Sequence, residues 1–282
     1  MVLSARQYTA QVDDVRKLAK DTFAVRLRQP ELAQQITPGQ FFMVKTSTGS
    51  DPLLGRPFAL FDTYDDDSGH PVGIDFGFVV VGKLTNLMSR WQPGEDVQLW
   101  GPLGNGFEPP SAKHLICVAG GIGQTPFLGV VQEALGHKQY GKPVRTASNR
   151  PDSVKLLYGV RSKDYLAGLK EFDVRGLDLQ IATDDGTAGH HGLVTELLQK
   201  NLNDCREDVQ IYCCGPEPMM KAVADLCAAM AVPCWLSLET PMACGFGACF
   251  SCVTTVREPD GSTDYRRTCV EGPVFPAERL VL

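Results

Sequence analysis

Leu115-Ile-Cys-Val-Ala-Gly-Gly-Ile-Gly-Gln-Thr-Pro-Phe127 decides the fold class. Its first five residues are a continuous apolar run and its middle is glycine-rich. Beyond it, Phe127, Val130, Val131, Ala134 and Leu135 recur at helical spacing. The stretch therefore reads as strand, tight turn and helix. Outward from it, Leu156–Val160, Leu179–Ala182 and Val209–Cys213 are further apolar runs of strand length, and Met220–Met230 reads as a helix. Strands alternating with helices predict a parallel, doubly wound sheet over residues 111–235. Gly136 to Ser153 is polar and rich in turn formers, and reads as a surface loop.

The turn itself carries chemistry. Gly120, Gly121 and Gly123 let the backbone bend sharply and approach a pyrophosphate. Thr125 is placed to cap the following helix, and Pro126 suits its first turn. A helix N-terminus then offers free N–H groups to an anion. A second turn, Cys214-Gly215-Pro216-Glu-Pro218, also follows a strand and precedes a helix. Ligands of open α/β sheets bind at the carboxyl ends of strands, so both turns are candidates for a dinucleotide, with Cys214 at a strand tip facing the nicotinamide.

Residues 1–110 read differently. Thr22–Arg28 alternates with period two. Phe41–Lys45, Phe58–Phe61, Gly73–Val81 and Asp96–Trp100 follow, separated by Pro, Gly and Asp, with a short helix at Leu84–Trp91. Many short strands with such punctuation predict a β-barrel. Residues 236–282 are too few for a large core and need a staple. The predicted fold is thus multi-domain, β plus α/β: a barrel over 1–110, a doubly wound domain over 111–235 and a small cysteine-bearing domain over 236–282.

Ten cysteines occur in 282 residues, without a signal-peptide pattern in Met1–Asp14. In so long a chain a metal centre is a better reading than a disulfide framework. Cys244-Gly-Phe-Gly-Ala-Cys249-Phe-Ser-Cys252, with Cys269 further on, has the C-x4-C-x2-C spacing of a plant-type [2Fe–2S] centre. Small residues at 245, 247 and 248 let backbone N–H groups approach the sulfurs. Structural zinc, which favours paired C-x2-C knuckles, and simple buried thiols are the alternatives. The other six cysteines, Cys117, Cys205, Cys213, Cys214, Cys227 and Cys234, read as core residues. The formal net charge of -6 and the absence of a basic stripe exclude nucleic acid as a partner. No apolar stretch approaches the ~18–20 residues that span a bilayer. A cytoplasmic protein is expected.

Arg56-Pro-Phe-Ala-Leu60, Phe78-Val-Val-Val-Gly-Lys-Leu-Thr85 and Gly101-Pro-Leu-Gly-Asn-Gly-Phe107, followed by the two glycine turns, resemble the ferredoxin-reductase superfamily. Together with Thr183-Asp-Asp-Gly186, Gly189, Gly192, Met242–Cys252 and Cys269-Val-Glu-Gly-Pro-Val-Phe275, they are similar to the electron-transfer subunits of the NAD-linked, two-subunit dihydroorotate dehydrogenases. The resemblance covers essentially the whole chain. It implies an FAD held by Arg56, Pro57, Phe58, Ala59, Gly77, Phe78, Val79, Leu84 and Thr85, and a nicotinamide dinucleotide (NAD) held by Gly120, Gly121, Gly123, Thr125, Pro126, Cys214, Gly215 and Pro216. It also implies a [2Fe–2S] cluster on Cys244, Cys249, Cys252 and Cys269. Ala59, Leu84 and Val79 depart from the residues commoner in that family, which are Ser, Gly and a basic side chain.

The implied function is electron relay between NAD and the FMN of a catalytic subunit that oxidises dihydroorotate, in pyrimidine biosynthesis and in a heterotetramer. Gly245, Phe246 and Gly247 are expected to face that partner. A related reductase subunit serving ferredoxin, a hydrogenase or an oxygenase is the alternative enzyme. A non-enzymatic, metal-stabilised binding module is the alternative of another class. The chemistry belongs to the cofactors and needs no acid–base pair, so His190 and His191 read as loop residues.

Overall fold

The computed structural model describes residues 5–47, 49, 51–145, 150–205 and 207–282. Met1–Ser4 of the N-terminal stretch Met1–Asp14 and Thr146–Asn149 of the expected surface loop lie outside these residues. The first unit is an antiparallel sheet. It holds β1 (Arg6–Ala19), β2 (Thr22–Arg28), β3 (Phe41–Thr46), β4 (Arg56–Ala59), β5 (Asp62–Asp65), β6 (Pro71–Val79) and β7 (Asp96–Leu103), with α1 (Pro30–Gln35) and α2 (Lys83–Met88) between them. The strand order is β4-β3-β7-β1-β2-β6-β5. The sheet curls until Phe58 on β4 meets Phe76 on β6, with ring centroids 4.9 Å apart. Tyr8, Val25, Phe42, Phe58, Phe76, Phe78, Leu84 and Leu99 fill this half-barrel.

The second unit contains β8 (His114–Gly120), α3 (Phe127–Ala134), β9 (Ser153–Val160), β10 (Leu177–Thr183), β11 (His190–His191), α4 (Val194–Asp204), β12 (Val209–Cys214), α5 (Glu217–Ala229) and β13 (Cys234–Ser237). Strands β8 to β13 are paired in parallel. Helix α3 packs on one face, with Tyr158 and Phe172; α4 and α5 pack on the other, with Leu198 and Val223. Burial on both faces is why Leu115–Ala119 is apolar at every position rather than at alternate ones.

The C-terminal segment adds a hairpin, β14 (Val253–Arg257) with β15 (Thr263–Arg267), and a last strand, β16 (Val274–Pro276). β16 pairs antiparallel with β13 and closes the edge of the central sheet, giving the order β11-β10-β9-β8-β12-β13-β16. β13 itself runs across residue 235, where the expected third segment begins. The chain's end is therefore woven into the sheet before it. Several expected boundaries move: the helix read from Met220 begins at Glu217, and the strand read from Phe58 begins at Arg56.

The two large units are joined by half-buried polar contacts. Asp62 on β5 accepts from Gln132 of α3 (3.0 Å), Lys138 (2.8 Å) and Tyr140 (2.7 Å). Removing that carboxylate leaves a half-buried ammonium with the Thr63 carbonyl alone and a buried phenol without its acceptor. Asp62→Ala is expected to lower stability by about 2–4 kcal/mol, read by chemical denaturation; a loss below about 0.5 kcal/mol would place the joint elsewhere.

Candidate redox sites

The β14–β15 hairpin explains how distant cysteines meet. Cys252 lies just before β14 and Cys269 just after β15. The Thr268 N–H donates to the Cys252 carbonyl at 2.8 Å, closing the hairpin base. The two sulfurs are then 3.1 Å apart, both buried, and well beyond the ~2.05 Å of a disulfide. The other two thiols sit outward: Cys244 is half-buried and Cys249 exposed, with the Cys249 sulfur 3.1 Å from the Ser251 hydroxyl. Hydrogen bonding from Ser251 and from Cys244 lowers the Cys249 thiol to about 6. Burial, reinforced by neighbouring Cys252, raises Cys269 to about 12.

The donor set is thus an inner pair, Cys252 with Cys269, and an outer pair, Cys244 with Cys249. Two pairs of thiols fit a two-iron cluster.

The barrel supplies the floor of this site. Phe41, Met43 and Leu103 pack with Cys252 and Cys269 in one small core. Gly245 has φ +78, and a Cβ there would come within 2.6 Å of Met43 Cγ, so only glycine lets the loop seat so low. Asn105 grips the segment after Cys269 through Val274: its Nδ2 donates to the carbonyl at 2.8 Å, and its Oδ1 accepts from the N–H at 3.1 Å. The rim is apolar and open. Phe246 and Phe250 are 51% and 62% exposed, and Leu53 and Leu54 are exposed nearby, beside a groove of about 550 Å³ that also takes in Lys45 and Arg6.

On β4, Arg56 is exposed and one of its amino groups turns back onto the carbonyls of Leu54 (3.1 Å) and Gly55 (3.0 Å). Pro57, Ala59 and Val79 are half-buried. Phe58, Phe78 and Leu84 point into the barrel core, which leaves their backbone atoms for any ligand. Thr85 closes the start of α2: its hydroxyl accepts from the N–H groups of Val81 and Gly82, each at 3.0 Å. Gly82 faces open space.

The two glycine turns meet because β8 and β12 are neighbours. A Cβ on Gly123 would fall 2.4 Å from the Cys214 carbonyl oxygen, and one on Gly120 would fall 2.8 Å from Pro216. These glycines, with Gly215, allow turn to pack on turn, while Gly121 borders open space. Thr125 does not cap α3, as its position suggested. Its hydroxyl donates to the Ile122 carbonyl at 2.9 Å within a 3-10 turn, Gly121–Gln124, and the residue preceding α3 is Pro126. The Thr125 methyl instead abuts Gly77 of β6, joining the glycine turn after β8 to the barrel. Cys214 is half-buried, its thiol raised to about 12 by burial and then by Glu239.

Comparison with known proteins follows this division. Residues 239–281 match the iron–sulfur cluster binding domain of dihydroorotate dehydrogenase B, and residues 117–225 match the oxidoreductase NAD-binding domain. The chain is 35% identical, over 98% of its length and 99% of the relative's, to the electron transfer subunit of dihydroorotate dehydrogenase B (NAD(+)) from Desulforamulus reducens. It belongs to that family. The subunit from Geobacillus thermodenitrificans is 36% identical over 95% of each chain. Among solved structures, an NADH-dependent reduced ferredoxin-NADP oxidoreductase superposes with TM-score 0.79 at 27% identity, covering 96% of this chain and 89% of that one. The ferredoxin reductase of carbazole 1,9a-dioxygenase shares the fold at TM-score 0.68 and 22% identity, covering 83% of this chain and 68% of that one.

Some residues of this family member behave otherwise than their sequence context predicts. Cys205 is exposed rather than core, because it follows the last turn of α4, beyond the helix's buried face. Cys117, Cys213, Cys227 and Cys234 are buried as expected. His190 and His191 form the short strand β11 rather than a loop, and His190 Nε2 pairs with Glu196 at 2.7 Å. Sequence reasoning missed Gln124. It is fully buried in the glycine turn after β8, and neither amide atom has a partner among the described residues. Trp100, Met43 and Asn105 were also missed, because nothing in their local sequence points to a site that forms from residues far along the chain.

The thiol environments give a pH prediction for cluster-free protein. The thiolate is the reactive form, so Cys249 is expected to be the first thiol alkylated by iodoacetamide, with a rate that falls as pH drops through about 6. Cys269 should stay inert at neutral pH. Mass-spectrometric mapping of equal labelling at both positions at pH 7 would contradict this picture.

Proposed function

We propose that this chain relays electrons between NAD and the FMN of a dihydroorotate-oxidising catalytic subunit, as part of a heterotetramer working in cytoplasmic pyrimidine synthesis. One observation carries the reading. β3 pairs with the flavin strand β4 through Phe41–Ala59 and Met43–Pro57, and the side chains of the same Phe41 and Met43 pack in the core that holds Cys252 and Cys269. The two redox sites thus share one strand. FAD bound on the barrel would supply the change from hydride to single electrons that a [2Fe–2S] centre requires.

The chain's own residues bind and orient. Arg56 turns one amino group onto its own backbone and keeps its remaining donors for a phosphate. Pro57 and Ala59 border the flavin from β4, and Gly77, Phe78 and Val79 from β6. Leu84 and Thr85 contribute backbone at the start of α2, which explains why Leu84 is tolerated where glycine is commoner. For the dinucleotide, Gly120, Gly121, Gly123, Thr125 and Pro126 form one wall and Cys214, Gly215 and Pro216 the other. Cys244, Cys249, Cys252 and Cys269 hold the cluster. The exposed Phe246 and Phe250, with Leu53 and Leu54, offer the partner an apolar patch beside the outer thiols. Among the described residues no helix is long and apolar enough to cross a membrane. Three working parts, 1–110, 111–235 and 236–282, describe the division of labour, with β16 lent by the last part to the central sheet.

The likeness to a ferredoxin-NADP oxidoreductase across 96% of this chain favours, as a second reading, a reductase subunit of the same architecture with ferredoxin as its partner. Reconstitution separates the two. Mixed with the FMN subunit from the same source, the chain is expected to form a stable complex that reduces NAD with dihydroorotate. Failure to associate, with robust turnover on ferredoxin, would favour the second reading.

Two expectations follow for the isolated chain. It should carry one FAD and one [2Fe–2S] cluster and no FMN, by flavin extraction and iron and sulfide analysis; zinc in place of iron would refute this. Cys252→Ser should abolish transfer to the partner while leaving NADH-dependent dye reduction within about tenfold of the parent. Full-rate transfer by a folded, cluster-free variant would remove the cluster from the path.

A further inference from the structure

Trp100 touches both sites at once. On one side its ring lies against Gly55, the residue before the flavin strand, where a Cβ would fall 2.6 Å from the indole. On the other side its Nε1–H donates to the Cys244 carbonyl at 2.8 Å. The next residue, Gly245, is pressed against Met43, and Met43 and Trp100 are cross-strand partners on β3 and β7. The Cys244–Gly245 peptide is therefore held from two directions, its carbonyl by the indole and its α-carbon by the methionine. Cys244 is itself one of the outer thiols, so the lie of this peptide fixes where its side chain starts and how the Gly245 N–H is aimed. Among the described residues the inner pair has no comparable tether to the barrel: Phe41 and Leu103 share an apolar core with Cys252 and Cys269.

We infer that Trp100 is a positioning residue for the iron–sulfur cluster: its indole N–H fixes the Cys244–Gly245 peptide and, through it, the placement of the Cys244 ligand and the aim of the Gly245 N–H, on which the reduction potential depends. The inference rests on the reading that the four cysteines hold a cluster. The physical basis is the sensitivity of such centres to donors at sulfur. Each N–H aimed at a thiolate favours the more negative, reduced state and raises the potential. An indole is donor only and moves on two torsions, so one bond from a sheet-borne ring holds a peptide plane well. Without it, the Cys244 carbonyl loses its partner and the peptide is free to turn.

The test uses the full-length protein carrying FAD and cluster. One variant is Trp100→Phe. The second replaces Trp100 with 3-benzothienylalanine, which keeps the indole shape but has sulfur in place of N–H. The readouts are the electron paramagnetic resonance g-values of the reduced cluster, its midpoint potential by redox titration and the rate at which a chelator bleaches it. FAD content and NADH-driven flavin reduction serve as controls for the fold. Both variants are expected to keep their FAD, shift the g-values, lower the potential and bleach about tenfold faster, the scale at which outer-sphere partners act. Native g-values and potential in the benzothienylalanine protein would overturn the inference, whatever the phenylalanine variant does, because packing alone would then suffice. A parent protein without iron and sulfide would overturn the cluster reading itself, and this inference with it.

Discussion

The packing of a cysteine loop onto a barrel strand is the contact on which the rest of this molecule depends. The C-terminal segment has little apolar surface of its own, and a chain of that size does not fold alone without a staple. It is held by Phe41, Met43 and Leu103 beneath Cys252 and Cys269, by the Trp100 hydrogen bond to Cys244, and by the pairing of β16 with β13. The segment thus bridges the barrel and the central sheet, and a metal centre on its cysteines would tie the same elements together. Metal binding and folding are coupled in such an arrangement.

A second constraint acts at the carboxyl ends of β8 and β12. There two turns are packed so closely that Gly123 admits no side chain against the Cys214 carbonyl. Glycine in this loop serves packing between turns as much as access for a pyrophosphate. The Thr125 methyl carries the contact on to Gly77 in the barrel, so the glycine turns and the barrel abut directly. Gln124 stands out in this joint as a buried amide without a partner among the described residues. Such a group costs about 1–3 kcal/mol unless water or a ligand satisfies it.

Electrostatics follow the same division. Burial raises the inner thiol Cys269, while Ser251 and Cys244 lower the exposed Cys249. One half of the cysteine set is dry and rigid and the other faces the rim where Phe246 and Phe250 lie exposed. Charge leaving the site toward a partner would cross the outer half.

The sequence by itself determined what depends on spacing along the chain. The period of apolar residues around Leu115–Leu135 specifies strand and helix. The gap pattern of Cys244, Cys249, Cys252 and Cys269 specifies a four-thiol centre, and the order of motifs specifies the family. These are local properties, readable because strand and helix repeats and ligand loops act over a few residues. Only the tertiary structure decided which surfaces meet. Trp100 and Cys244 are 144 positions apart, and no local pattern pairs them. β14, β15 and β16 are too short to show a period, and Thr125 follows a cap pattern yet spends its hydroxyl on Ile122. Side-chain contacts across strands are set by sheet register and curl, which arise from the whole chain packing at once, so the partners of the cluster loop appear only when the barrel has closed beneath it.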